Sequence, residues 1–316
     1  MKKISILIPT YNEEENVPII TQRLIEIFKN KLVSYDYEIL FIDNKSKDNT
    51  RQILRKICND NKHIKAIFNA RNFGQSRSPY YGMLQTDGDC TISMCADLQD
   101  PPEMIIDFVR EWEKGFKIVI GIKNTSKENK FMYYMRSIYY KCLKRIADTE
   151  QIEHFTGFGL YDKSFVQVLK NLEDPSPYFR GIVAELGFER KEIYYTQNKR
   201  ERGKTSNNFF SLYDYGMLGI TSYSKAVLRL ATWGGFFIGA ISFIIALVYL
   251  VLKLIYWDWF MAGMAPVLIG MFFLGAIQLF FIGILGEYIM SINIRVMKRP
   301  LVVEEERINF SERIEE

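Results

Sequence analysis

The sequence predicts an α/β domain with a mostly parallel central sheet, followed by interfacial amphipathic helices and two transmembrane helices. Three observations carry this expectation. Short apolar runs alternate with helical patterns from the amino terminus to Ile122. Two later runs, Ala231 to Leu252 and Phe260 to Gly286, hold no charged residue, and each exceeds the roughly 20 apolar residues that cross a bilayer core. Polar and acidic residues gather directly after the apolar runs, where open parallel sheets bind their ligands. With 316 residues, 48% of them hydrophobic, the chain can bury one sizeable core and have apolar sequence left over.

Taken in order, "KISILIPT" is the first strand. The amino-terminal apolar run is too short for a signal peptide and leads straight into an acidic helix start. Glu13 to Asn30 has helical spacing with acids in its first turn, as the helix dipole favours. "YEILFID" is the second strand, and "DNKSKDNT" turns into a helix from Thr50 to Cys58. "IKAIF" is the third, and after "NARNFG" comes a helix ending near Gln85. "CTISMCAD" is the fourth strand, Pro102 begins the next helix, and "FKIVIGI" is the fifth strand. Strands separated by helices imply right-handed crossovers and parallel pairing. Tyr11, Asn12 and Glu13 then follow the first strand, Asp43 the second, Asp97 the fourth and Lys123 the fifth, all at one edge of the sheet.

Beyond the fifth strand the pattern changes. "MYYMRSIYYKCLKRIA" sets Arg136, Lys141, Lys144 and Arg145 among aromatic residues, which suits a membrane interface. Asn208 to Lys225 is aromatic and weakly charged and runs into the first apolar run. Soluble helices show a polar face and the two charge-free runs do not, so both are expected to span a membrane. Lys225 and Arg229 precede the first span, and Arg295, Lys298 and Arg299 follow the second, which places both termini on the cytoplasmic side. Expected boundaries are 1–206 for the cytosolic domain, 207–229 for a juxtamembrane interfacial helix, 230–290 for the two-helix hairpin and 291–316 for a cytosolic tail.

Composition excludes several classes. Cys58, Cys90, Cys95 and Cys142 show no C-x-x-C spacing and precede the spans, so neither a disulfide framework nor a zinc site is indicated. The net charge of +4 is small and its basic residues cluster near the membrane segments, which favours an anionic lipid surface over nucleic acid.

Three stretches, "IPTYNEEENV", "ADLQDPPE" and "LGEYIMSINIRVMKRP", resemble the membrane-anchored family 2 glycosyltransferases that load sugars onto polyprenyl phosphates, the bactoprenol glucosyltransferases and dolichol-phosphate mannose synthases. The resemblance runs nearly the whole chain in the expected order. It implies a GT-A type nucleotide-sugar-binding domain and an inverting transfer of a hexose, from a UDP-sugar such as UDP-glucose, to undecaprenyl phosphate. It also implies Mg²⁺ or Mn²⁺ as cofactor, an integral inner or plasma membrane protein working at the cytosolic face, and a homo-oligomer, a tetramer packed through spans and interfacial helices. Carried over by position, Pro9, Tyr11 and Glu13 would line the nucleotide pocket and Asp43 would meet base or ribose; capping of the following helix is the alternative for Asp43. Arg202 and Lys204, in "RERGKTS", would close over the diphosphate, with a basic membrane patch as the alternative. Lys123 and Arg136 would grip the acceptor phosphate. Arg71, in "ARNFG", is expected to organise the turn after the third strand.

Two departures from the family pattern stand out. Where relatives read D-x-D-x-Q, this chain reads Cys95, Ala96, Asp97, Leu98, Gln99. A thiol is a poor ligand for a hard cation, so Cys95 is expected to be a small buried strand residue, with Asp97 and Gln99 left as metal ligands. Asp100 is expected to cap the helix after it. In "HFTGFGLYDK" the family's first aspartate is missing, leaving Asp162 aligned with a later one and His154 just upstream; Asp97, Asp162 and Arg202 are the catalytic candidates. A phosphate monoester is largely dianionic at neutral pH, so a lipid phosphate needs positioning more than a base. Alternatives are transfer to another membrane lipid such as diacylglycerol, or a non-catalytic subunit that binds nucleotide sugar and lipid.

Overall fold

The computed structural model describes residues 1–126, 152–198, 209–223, 226–255 and 264–310. Its centre is an eight-stranded sheet in the order β7-β5-β6-β4-β1-β2-β3-β8, built from β1 (Lys3–Thr10), β2 (Asp36–Asp43), β3 (Ile64–Asn69), β4 (Cys90–Ser93), β5 (Ile118–Ser126), β6 (Phe155–Asp162), β7 (Arg190–Gln197) and β8 (Glu304–Ile308). β6 and β8 run against all the others. The predicted parallel sheet is therefore present, with two antiparallel insertions that the alternating pattern did not announce.

Both faces of this sheet are covered, which is why β1 reads "ISILI" rather than alternating apolar and polar residues. Ile4, Ile6 and Ile8 pack on one side with Val17, Leu24 and Phe108; Leu7, Leu40 and Ile42 pack on the other with Tyr80 and Met83. The covering helices are α1 (Asn16–Asn30), α2 (Thr50–Asp60), α3 (Gly74–Leu84), α4 (Met104–Glu113), α5 (Lys163–Leu172) and α6 (Phe179–Glu185). α3 lies unusually close to the sheet. A Cβ on Gly82 would fall 2.6 Å from Leu7 Cδ1 and 3.2 Å from Ile42 Cγ2, so a larger residue there would have to push the helix away.

Three more helices follow: α7 (Phe209–Tyr223), α8 (Ala226–Ile255) and α9 (Met264–Val296). Their large apolar side chains face outward, Phe236, Phe243, Phe272 and Phe280 each being more than half exposed. By length and composition, one helical stretch among the described residues, Gly270–Val296, suffices to cross a membrane; the apolar stretch of α8, Thr232–Ile245, is shorter. Arg295, at the end of α9, seats this part on the domain: its Nη2 donates to Ser222 Oγ of α7 at 2.9 Å, and its Nε lies 3.7 Å from Asp174 Oδ1.

Within the region expected to be a cytosolic tail, 291–316, the chain forms a further strand. After α9 the chain returns to the sheet, Ala70 donates to the Val303 carbonyl at 2.9 Å, and β8 pairs with β3. Its acids pair with cations at the surface, Glu305 binding Lys45 and Arg51 and Glu306 binding Arg55. The expected basic helix of residues 132–147 lies outside the described residues.

Candidate active site

The carboxyl ends of β1, β2, β4 and β5 form one edge. The loop after β1 is fixed by the loop after β2: Asn12 N–H donates to Ser46 Oγ, Lys47 N–H to Asn12 Oδ1, Glu13 N–H to Thr50 Oγ1, and Asn49 N–H to Glu14 Oε2, all at 2.8–2.9 Å. Asn12 takes a left-handed conformation, φ 57°, which asparagine tolerates better than most residues. The result presents Pro9 and Tyr11 half-buried and holds the Glu13 carboxylate inward, where Asn16 Nδ2 donates to it at 2.6 Å.

Asp43 is tied into the turn after β2. It is fully buried, its carboxylate accepting from the Ser46 hydroxyl and from Ser46 N–H, with Arg51 Nε 3.4 Å away as an ion contact. Burial raises its pKa, and the Ser46 bonds and Arg51 only partly offset that rise. Asp43 braces the turn after β2, each of its oxygens engaged by that turn and one of them also by Arg51.

Beyond β4, Leu98 sits at φ 58° and the chain turns sharply. Asp97 is half-buried; its Oδ1 accepts from Gln99 N–H at 3.2 Å, and no bond to its Oδ2 is made among the described residues. Gln99 is stitched to the end of β7: its carbonyl accepts from Asn198 N–H at 3.1 Å and its Nε2 donates to the Asn198 carbonyl at 3.4 Å. Its backbone carbonyl is thereby used, leaving the side-chain oxygen as its available donor atom. In sequence, the basic stretch holding Arg202 and Lys204 follows Asn198. Arg202, Lys204 and Arg136 themselves lie outside the described residues.

Three expectations fail here for physical reasons. Cys95 is exposed at the cleft, not buried in the strand. Solvent touches it, yet the surrounding walls strip enough water to push its thiol well above the usual cysteine range, and Asp100 and Asp97 add to this. Asp100 does not cap α4, which begins at Met104 after Glu103; its buried carboxylate accepts instead from the Tyr195 hydroxyl of β7. Burial raises its pKa, with Lys123 and the Tyr195 bond pulling the other way.

Asp162 is the third. Because β6 runs antiparallel, Asp162 pairs with Cys90 at the start of β4, at the opposite edge from Asp97. There it caps α5, accepting from Ser164 N–H at 2.9 Å, and also accepts from Trp112 Nε1 at 2.8 Å with Lys117 Nζ at 3.3 Å. Burial alone would raise its pKa, but these donors and Lys117 hold it below the usual carboxylate range. Lys123 stays at the cleft edge, its N–H donating to the His154 carbonyl at 3.4 Å, with His154 at φ 57°.

The edge thus gathers Pro9, Tyr11, Glu13, Cys95, Asp97, Gln99 and Lys123. Among the described residues no group of three or more His, Cys, Asp and Glu is placed to hold a metal. Asp97 with an open oxygen fits a hard divalent cation only if oxygens of a bound diphosphate complete the shell, as such ions commonly accept.

The glycosyl transferase family 2 model matches residues 5–170, which takes in β1 to β6. CsbB of Bacillus subtilis (strain 168) is 33% identical over 94% of this chain and 89% of its own. A bactoprenol glucosyl transferase of Shigella phage SfX is 30% identical over 94% of this chain and 97% of its own. The prophage bactoprenol glucosyl transferase homolog of Escherichia coli (strain K12) shows the same identity and the same coverage.

Proposed function

The chain belongs to glycosyl transferase family 2 and is a glycosyltransferase with an α/β fold of GT-A type; from this premise we propose that it transfers a hexose from a UDP-sugar to a polyprenyl phosphate, with inversion, at the cytosolic membrane face. The observation that carries the proposal is the meeting of Tyr11, Glu13, Asp97 and Lys123 at the carboxyl edge of one sheet, in a chain whose helices α8 and α9 turn apolar side chains outward. Full-length similarity to bactoprenol glucosyl transferases supports the acceptor.

Pro9, Tyr11 and Glu13 would line the nucleotide pocket, with Asp43 shaping the turn behind it. Asp97, with the Gln99 side-chain oxygen, would hold Mg²⁺ or Mn²⁺, which would offset charge on the departing diphosphate. Arg202 and Lys204 would close over the same phosphates. Lys123 and Arg136 would hold the acceptor phosphate, whose oxygen attacks the anomeric carbon from the face opposite the nucleotide; one C–O bond forms, the other breaks, and UDP leaves with the electron pair. The nucleophile arrives deprotonated, so the position of Asp162 at the far edge removes nothing the step requires.

The two-span hairpin, with 1–206 and both termini cytoplasmic, is part of this proposal. β8 lies in the same sheet as β1 to β7. A chain that crosses the bilayer at α9 must cross an even number of times between β7 and β8, and α8 is the helix available for the other crossing.

The test uses the purified protein, undecaprenyl phosphate and diacylglycerol as competing acceptors, and radiolabelled UDP- and GDP-sugars, with Mn²⁺, Mg²⁺ or chelator. Expected is a labelled lipid from one UDP-hexose, lost with chelator and reduced at least a hundredfold in Asp97→Ala. Label appearing only on diacylglycerol, or no transfer while UDP still binds, would overturn the acceptor or the catalytic assignment.

A further inference from the structure

A cavity of about 460 Å³ lies where α9 meets the domain, away from the cleft, and three arginines line it: Arg71 after β3, Arg77 of α3 and Arg299 after α9. Ile294, Met297 and Val303 supply its apolar wall. Arg71 is held with its guanidinium 4.1 Å from the Phe73 ring centroid while Nη1 donates to the Asn72 carbonyl at 3.1 Å, so its remaining N–H groups stay available. Among the described residues none of the three arginines forms an ion pair. Asp174, adjacent in sequence to the lining residue Pro175, is engaged by Arg295.

Like charges brought together without an anion repel one another, and three guanidinium forks present the donor geometry that phosphate oxygens accept. The apolar wall belongs to the last turns of a helix long and apolar enough to cross a membrane, and to the segment directly after it. A site that is cationic on one wall, apolar on the other and at the end of such a helix matches a headgroup with its acyl chains attached.

We propose that this cavity binds the phosphate headgroup of an anionic phospholipid of the bilayer, distinct from the acceptor lipid. The inference rests on α9 lying in the membrane. Bound there, the lipid would bridge β3, α3 and α9 and fix the domain against the membrane surface.

The test is native mass spectrometry of the full chain in detergent with phosphatidylglycerol or phosphatidylcholine, alongside flotation with phosphatidylcholine vesicles. Expected is retained phosphatidylglycerol on the wild type and a loss on the order of a hundredfold in Arg71→Gln/Arg77→Gln/Arg299→Gln, at about one kcal/mol for each arginine. The single variants Arg77→Gln and Arg299→Gln should give intermediate losses with unchanged circular dichroism, which separates loss of the site from misfolding. Equal binding of phosphatidylglycerol by the triple variant would overturn the proposal. Displacement of the lipid by millimolar inorganic phosphate would also do so, making this a site for free anions. Failure of the wild type to float would overturn the membrane placement of α9 and this proposal with it, whereas flotation without preference for phosphatidylglycerol would overturn this proposal alone.

Discussion

Arg51 Nη2 donates to Glu305 Oε2 at 2.9 Å while its Nε sits 3.4 Å from Asp43, so a strand that follows both apolar helices holds the cation that faces the buried acid beside the cleft. Arg51→Met leaves Asp43 buried without a counter-charge. The expected loss is roughly 2–3 kcal/mol, below the range for fully buried pairs because Arg51 keeps some solvent contact and Ser46 still bonds the carboxylate. The folded-state pKa of Asp43 is raised, so its charge costs stability as pH rises above the ordinary aspartate value of about 3.9. The deficit of the variant should therefore grow with pH and shrink in acid, as thermal melts at several pH values would record. A constant deficit would mean that Arg51 acts through packing on Phe68.

Asp162→Ala separates capping from catalysis. Removing the cap of α5 costs about 1 kcal/mol, and leaving Trp112 Nε1 without its acceptor costs about 1–2 more. Because the native pKa of Asp162 is lowered, its contribution is present above the ordinary carboxylate pKa and is lost as pH falls through the lowered value. Denaturation at neutral pH should show the loss, and the loss should shrink as pH falls below the usual carboxylate range. Turnover below the melting temperature should stay within about twofold of wild type; a thousandfold fall would restore Asp162 to catalysis, at the scale that acid–base groups contribute.

Cys95→Asp should tighten metal binding. The exposed thiol stands beside Asp97, and a second hard oxygen there suits a divalent cation better than sulfur does. The Mn²⁺ concentration for half-maximal transfer should drop by about tenfold, equivalent to about 1.4 kcal/mol. An unchanged metal titration would show that position 95 does not face the ion.

Tyr195→Phe removes the hydroxyl that Asp100 accepts in the floor of the cleft. A buried carboxylate losing a donor costs about 1–3 kcal/mol, and adding Asp100→Asn should recover much of it. Urea unfolding of the two single variants and the double variant would complete the cycle. Additive losses would show that the two groups do not interact.

The strands and the edge they share were legible because β1 to β5 follow the alternating rule and parallel sheets bind at carboxyl ends. β6 was not, since a run such as "HFTGFGLYD" says nothing about direction, and reversal of the strand carried Asp162 to the far edge. Asp100 followed the usual sequence sign of a cap, but Tyr195, distant in sequence, claimed its oxygen. "EEERI" opens with three consecutive acids and carries no local strand signal, and the residues that pair with two of them, Lys45, Arg51 and Arg55, lie far upstream. The cavity of Arg71, Arg77 and Arg299 had no local signature at all, being assembled from three separate segments.

Strand order also dictates a schedule of assembly. β3 can acquire its outer neighbour only after both apolar helices have left the ribosome, so throughout their synthesis the young domain carries an open sheet edge, the kind of template on which stray chains pair. A soluble fragment ending before α7 would keep that edge for life. Such a fragment should associate through β3, and a peptide spanning residues 300–310 added in trans should suppress it.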